Sequence, residues 1–108
     1  MKKGSVILIP FPFTDLKGSK IRPAIVLCKS NLDVTICFVT SELRWKMEYD
    51  ISIIPSERNG LKAPSLIRIS KIATVDSNMI LGELGDLSII EIAELNKGLI
   101  DLLQLKTS

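Results

Sequence analysis

Residues 6–40 read VILIPFPFTDLKGSKIRPAIVLCKSNLDVTICFVT, and the architecture turns on them. Residues 6–9, 24–28 and 34–40 are short apolar or alternating runs rich in β-branched side chains, each bounded by Pro, Gly, Asn or Asp. That is the punctuation of strands. Residues 51–54, 66–72 and 79–84 continue it. Short strands at close spacing, with no helix among them, predict a mainly β domain: a small barrel or sandwich of antiparallel strands. A parallel sheet would need crossover helices that the spacing leaves out. From Ser88 the texture changes. Ser88 and Glu91 have capping-box spacing, and Ile92, Leu95, Leu99 and Leu102 recur at intervals of three and four, which predicts one C-terminal helix whose apolar stripe packs on the barrel. Residues 10–21, 41–49 and 55–65 are left as loops.

The chain of 108 residues is expected to form a single domain, 1–108. With 46% hydrophobic and 24% charged residues it can bury a core, yet a domain of this size leaves much surface in water unless it associates. No apolar run approaches the ~20 residues that cross a bilayer, and the N-terminus MKKGSVILIP lacks a signal-peptide cleavage region. A cytoplasmic protein without membrane association is expected. Cys28 and Cys37 lie in strand-like runs without a CxxC spacing or any histidine. Buried thiols are therefore expected rather than a disulfide or a metal site, and no cofactor is anticipated.

The net charge of +2 is unevenly spread. Residues 1–75 carry 12 Lys or Arg against 6 Asp or Glu, and residues 76–108 carry 2 against 6. A basic face is what a polyanion needs, although a solvated surface ending in an acidic helix gives the same totals.

Absences narrow the chemistry. There is no histidine, so no Ser-His or Cys-His pair can form and the side chain best suited to proton transfer near neutral pH is missing. Neither a Walker loop nor a dinucleotide fingerprint occurs. What remains is a set of arginines and hydroxyls at strand ends. Pro23 keeps Arg22 out of helical geometry, so the guanidinium, whose five-donor fork suits a phosphate, starts from a defined place. Thr40 and Ser41 end the neighbouring strand. In SLIRISKI, period two puts Arg68 and Ser70 on one face between Leu66 and Ile72, an unusual place for a cation.

Each candidate has a plainer explanation beside it. Arg22 can snorkel at a barrel rim. Thr40 and Ser41 can be turn formers. Arg68 can pair with a carboxylate such as Asp50. Trp45, between Arg44 and Lys46, is either a base-stacking platform or a loop anchor, while Phe11 and Phe13, alternating with Pro10 and Pro12, read as a stiff loop packing on the barrel.

Taken in order, GSVILIPFPFTDLKGSKIRPAIVL, ICFVTSE, GLKAPSLIRISKIATVD and LGELGDLS before a terminal helix resemble the MazF/PemK family of toxin endoribonucleases over nearly the whole chain. The resemblance implies an SH3-like barrel with a C-terminal helix and a homodimer. It also implies metal-independent, sequence-selective cleavage of single-stranded RNA, and inhibition by a cognate antitoxin. Arg22 matches the family's catalytic arginine before the proline, and Thr40 its threonine at the end of the third strand. Arg68 matches an arginine of the PemK/Kid branch; Ser70 stands where that branch has an aspartate, and its loop histidine is missing here. Thr14, Lys17, Lys20, Ser41, Arg44, Trp45 and Lys46 then fall on loops and strand ends expected to meet RNA.

RNA carries its own nucleophile, the 2′-hydroxyl, so an enzyme lacking histidine and metal can cut it by positioning that oxygen and stabilising the developing charge. A gyrase-binding toxin like CcdB, or a barrel that binds RNA or protein without cutting, are the rival expectations. The pairing of Arg22 with Thr40 favours the nuclease.

Overall fold

The computed structural model describes residues 1–11 and 20–106. Six strands form one antiparallel sheet: β1 (Ser5–Phe11), β2 (Lys20–Ser30), β3 (Asp33–Thr40), β4 (Asp50–Ile53), β5 (Ser65–Asp76) and β6 (Gly82–Asp86). Their order is β4-β5-β3-β2-β1-β6. The sheet curls, and helix α1 (Ile89–Leu103) closes the chain.

The first three strands read as nearly continuous apolar runs because both of their faces are buried. Val6, Ile25, Cys37 and Val39 face the main core with Ile67, Ile69 and Leu95. The residues between them, Ile7, Ile9, Ala24, Val26, Val34 and Ile36, form a second cluster, capped by Phe38, Val75 and Ile80. Register fixes the assignment, since Val6 stands opposite Ile25 and Ile7 opposite Ala24, and a slip of one residue would exchange the two sets.

Helix α1 begins where expected. Ser88 Oγ accepts the Glu91 N–H at 3.2 Å and the Glu91 carboxylate accepts the Ser88 N–H at 2.9 Å, which satisfies donors at the open end of the helix. Leu95 is buried, and Ile92, Leu99 and Leu102 pack on the main core. Gly98 lets the helix approach β5, since a Cβ there would collide with the Ile69 side chain.

Several expectations need correcting. Strands reach further than their apolar cores: β1 runs to Phe11 and β2 starts at Lys20, so part of the segment 10–21 is strand. Residues 79–84 are not one strand; a 3-10 turn at Ser77–Met79 precedes β6, which starts at Gly82. The loop 41–49 contains a short 3-10 turn at Leu43–Trp45. Cys28 is exposed, beyond the apolar centre of β2. Cys37 is buried, and burial pushes its thiol up to about 12. The strand at 66–72 extends to Ser65–Asp76 and carries a large bulge, since Arg68 faces Phe38 while Ile72 faces Cys37.

The edge strands β4 and β6 lie at opposite ends of the sheet order, and the segment after β4 spans the space between them. Arg58 O accepts the Asp86 N–H at 3.0 Å and Arg58 Nε donates to Asp86 Oδ1 at 3.0 Å. The Arg58 guanidinium holds the Asp86 carboxyl below its ordinary value, and Lys2 adds to the effect. Asn59 is fully buried; its Oδ1 accepts the N–H groups of Ser56 and Leu61, and its Nδ2 donates to Ile54 O. Gly60 adopts φ +70°, and a Cβ there would run into the Leu84 carbonyl. This segment is therefore fixed by specific bonds, although it lacks regular structure. Among the described residues no helix is long and apolar enough to cross a membrane.

Candidate functional site

Arg22 is the third residue of β2 and stands opposite Ile9 in the β1–β2 ladder. Its neighbour Pro23 occupies the ladder opposite Leu8 and, having no N–H to give, fixes the backbone at that point. Register puts Arg22 on the face of the sheet that carries Ile7, Ile9 and Ala24, and Ala24 stands opposite Phe38, which stands opposite Arg68. Three separate strands thus aim their residues at one place.

That place is a cavity of about 360 Å³ lined by Arg22, Thr40, Arg68 and Lys71 with Phe11, Phe38 and Ile72. The rings of Phe11 and Phe38 pack with centroids 4.7 Å apart and tilted by 51°, so Phe11 closes the cavity as well as packing on the sheet. An apolar wall beside cations raises the strength of an electrostatic contact made there.

The four polar groups are not equivalent. Arg22 forms no ion pair among the described residues and is half-buried. Thr40 Oγ1 accepts the Glu42 N–H at 3.1 Å. That bond makes Thr40 the turn former anticipated, and it leaves the hydroxyl proton for another acceptor. Arg68 Nη2 lies 3.5 Å from Asp50 Oδ2, and the Asp50 carboxylate is wholly shielded from solvent. Asp50 Oδ2 also accepts the Met47 N–H at 2.8 Å, while Asp50 Oδ1 and Arg68 Nε have no hydrogen-bond partner among the described residues. The expected ion pair exists, and it leaves Arg68 in the lining of the cavity.

Ser70 does not join them. The bulge between Arg68 and Ile72 leaves it exposed and outside the lining, and brings Lys71 in instead. Strict period two from Arg68 would put Lys71 on the opposite face. Nothing in the run RISKI, which has no Gly or Pro, signals a bulge.

A second cleft, of about 280 Å³, opens on the other side of Arg22. Arg22 and Val39 belong to both, and the second is completed by Leu8, Ser41, Leu61, Lys62, Ala63 and Leu84.

The remaining candidates are dispersed. Thr14 and Lys17 lie outside the described residues. Lys20 is exposed at the start of β2, opposite Phe11. Arg44 binds its neighbour: Nε donates to Glu42 Oε1 at 2.8 Å and Nη2 to Oε2 at 3.3 Å, which holds the Glu42 carboxyl below its ordinary value. The Arg44 guanidinium also lies 5.9 Å from the ring centre of Trp45, which is 66% exposed. Trp45 therefore anchors no core; it is a ring presented to solvent with a cation over it. Lys46 Nζ donates to Ser52 Oγ at 3.1 Å. Among the described residues no three His, Cys, Asp or Glu side chains gather as a metal site would require.

Residues 2–103 match the sequence profile of a family described as PemK-like, MazF-like toxin of type II toxin-antitoxin system. No curated protein sequence matches at a significant level. Among solved structures, the fold is similar to Mycobacterium tuberculosis toxin MazF-mt6, with TM-score 0.77 and 17% identity over 95% of this chain and 99% of that one. An endoribonuclease in complex with its cognate antitoxin from a mycobacterial species aligns with TM-score 0.76 and 17% identity, covering 100% of this chain and 99% of that one. MazF from Deinococcus radiodurans aligns with TM-score 0.74 and 19% identity, covering 97% of each chain.

Proposed function

Since the chain belongs to the PemK-like, MazF-like toxin family of type II toxin–antitoxin systems, we propose that it is the toxin of such a pair and cuts single-stranded RNA without a metal ion. The observation that carries this reading is the convergence of Arg22, Thr40 and Arg68 from three strands on one cavity.

In the proposed reaction the 2′-oxygen of a nucleotide bonds to the adjacent phosphorus and the bond from phosphorus to the 5′-oxygen breaks. The 2′-hydroxyl proton passes to water and the departing 5′-oxygen takes one up. The Arg22 fork holds the non-bridging oxygens, where negative charge grows. Its high basicity makes it a poor proton acceptor, so its role is electrostatic. The Thr40 proton, not used by the bond from Glu42, is free to be donated to the same phosphate. Arg68, held by Asp50, adds a second fixed cation. With no histidine to move protons, turnover is slow.

The exposed Trp45 ring and the cations Lys20 and Lys46 suit a single strand that stacks a base and tracks a backbone. Thr14 and Lys17 are read in the same role. The partner is a cognate antitoxin whose acidic segment competes for these cations, and the compartment is the cytoplasm. The test is incubation of purified protein with a long RNA in EDTA. Fragments ending in a 2′,3′-cyclic phosphate and beginning with a 5′-hydroxyl are expected; 5′-phosphate ends or strict dependence on Mg²⁺ would sink the mechanism.

A further inference from the structure

The reaction proposed above leaves one role unfilled, that of the group which gives the departing 5′-oxygen its proton. We propose that Lys71 fills it as the general acid. The inference rests on the proposed ribonuclease activity.

The cavity offers four polar side chains, Arg22, Thr40, Arg68 and Lys71, and their chemistry separates them. Breaking the bond from phosphorus to the 5′-oxygen leaves an alkoxide, which departs more readily when a proton reaches it in the transition state. A guanidinium keeps its protons to a pKa of ~12.5 or above, whereas a lysine ammonium releases one near ~10.4. Acids closer to the working pH transfer protons better, so lysine is favoured over arginine by type. Arg68 is moreover committed to Asp50 at 3.5 Å, and Arg22 is assigned to the non-bridging oxygens. Thr40 is an alcohol like the group that departs, so passing its proton across gains nothing.

The backbone brings the ammonium to the right place. Arg68 stands opposite Phe38 but Ile72 stands opposite Cys37, so residues 69–71 are taken up within one step of the ladder. Ile69 goes into the main core, Ser70 stays outside the lining, and Lys71 enters it. Bulges beside reactive sites commonly re-aim a side chain in this way. Lys71 is exposed, and its ammonium forms no ion pair among the described residues. It can therefore meet the substrate and recover a proton from water after each turnover.

The step balances. The 2′-oxygen bonds to phosphorus and its proton passes to water, while the bond to the 5′-oxygen breaks and that oxygen takes a proton from Lys71 Nζ. The neutral amine then regains one from water, and the protein returns to its starting charge.

The test changes the leaving atom. A short RNA carrying a mapped cut site is made in two forms, one ordinary and one with sulfur in place of the bridging 5′-oxygen. Sulfur departs as a thiolate, which is stable near a pKa of ~8.5 in a cysteine-type thiol, and so needs no acid. Single-turnover rates are measured with excess protein for the parent, Lys71→Gln and Lys71→Arg, and melting curves check that these exposed-site variants fold. We expect both variants to cut ordinary RNA about 10²-fold more slowly than the parent, and the sulfur RNA at the parental rate. Lys71→Arg is the stringent arm, because it keeps a cation beside the phosphate and weakens only the acid.

An equal loss on both substrates would overturn the inference, as would a Lys71→Arg protein that cuts ordinary RNA like the parent, because Lys71 would then act through charge or binding. Parental rates in both variants would overturn it while leaving the nuclease intact. A parental protein that cuts neither substrate would overturn the proposed function together with this inference.

Discussion

Arg22 is placed by its neighbour: Pro23 stiffens the backbone at the point where β2 enters the sheet, and the guanidinium stands between two cavities with no ion pair among the described residues. Replacing it by lysine keeps the charge and removes the planar fork, so we expect Arg22→Lys to lower RNA cleavage by about 10²-fold or more with an unchanged melting curve. Thr40 makes a complementary case. Thr40→Val keeps the shape and loses both the bond to the Glu42 N–H and the free proton, whereas Thr40→Ser retains both. Single-turnover assays should find the valine variant impaired in rate more than in RNA binding and the serine variant close to the parent. Parental rates in Arg22→Lys and Thr40→Val would show that the reacting phosphate sits elsewhere.

At the scale of elements, the pairing of β4 with β5 carries a buried charge, because Asp50 stands opposite Arg68. Asp50 also receives the Met47 N–H, so one carboxylate ties the end of the 41–49 loop to a strand that lines the cavity. In Asp50→Asn the amide oxygen can still take the Met47 N–H, but the Arg68 cation is left without its counter-charge. We expect a loss of about 2 kcal/mol in denaturant unfolding, below the 3–5 kcal/mol typical of fully buried pairs because Arg68 keeps some contact with water. An unchanged unfolding midpoint would show that the pair is incidental. The same elements show what the chain discloses in advance. The first three strands were legible because burial on both faces writes itself as unbroken apolar runs, and α1 because its cap and its periodicity coincide. β6, with the sequence GELGD, was placed three residues early, since two glycines and two acids carry little strand signal. The meeting of Arg22, Thr40 and Arg68 in one cavity was legible from strand-end residues taken together with the family resemblance. Lys71 and the exclusion of Ser70 were not, because a bulge shifts side chains between faces without altering composition.

The whole molecule exposes more apolar surface than its core requires. Ile89 is 83% and Ile90 72% exposed at the start of α1, and Ile54 and Leu81 are also open. Scattered single residues mean little, but adjacent isoleucines on an otherwise well-packed helix point to association. We expect a homodimer with a C2 axis, the commonest closed arrangement. Light scattering at micromolar concentration should give twice the 11.9 kDa of the chain, and a monomeric mass would refute it.

The strap of residues that joins β4 to β5 has one more consequence. An open sheet offers two rows of unused backbone donors and acceptors, and such rows recruit further strands into fibrous aggregates. Here the strap lies against β6, where Arg58 O takes the Asp86 N–H and Gly60 sits on the Leu84 carbonyl, so part of that row is occupied from within. Any drift in residues 58–65 that reshapes the cleft therefore also loosens or tightens a guard against polymerisation.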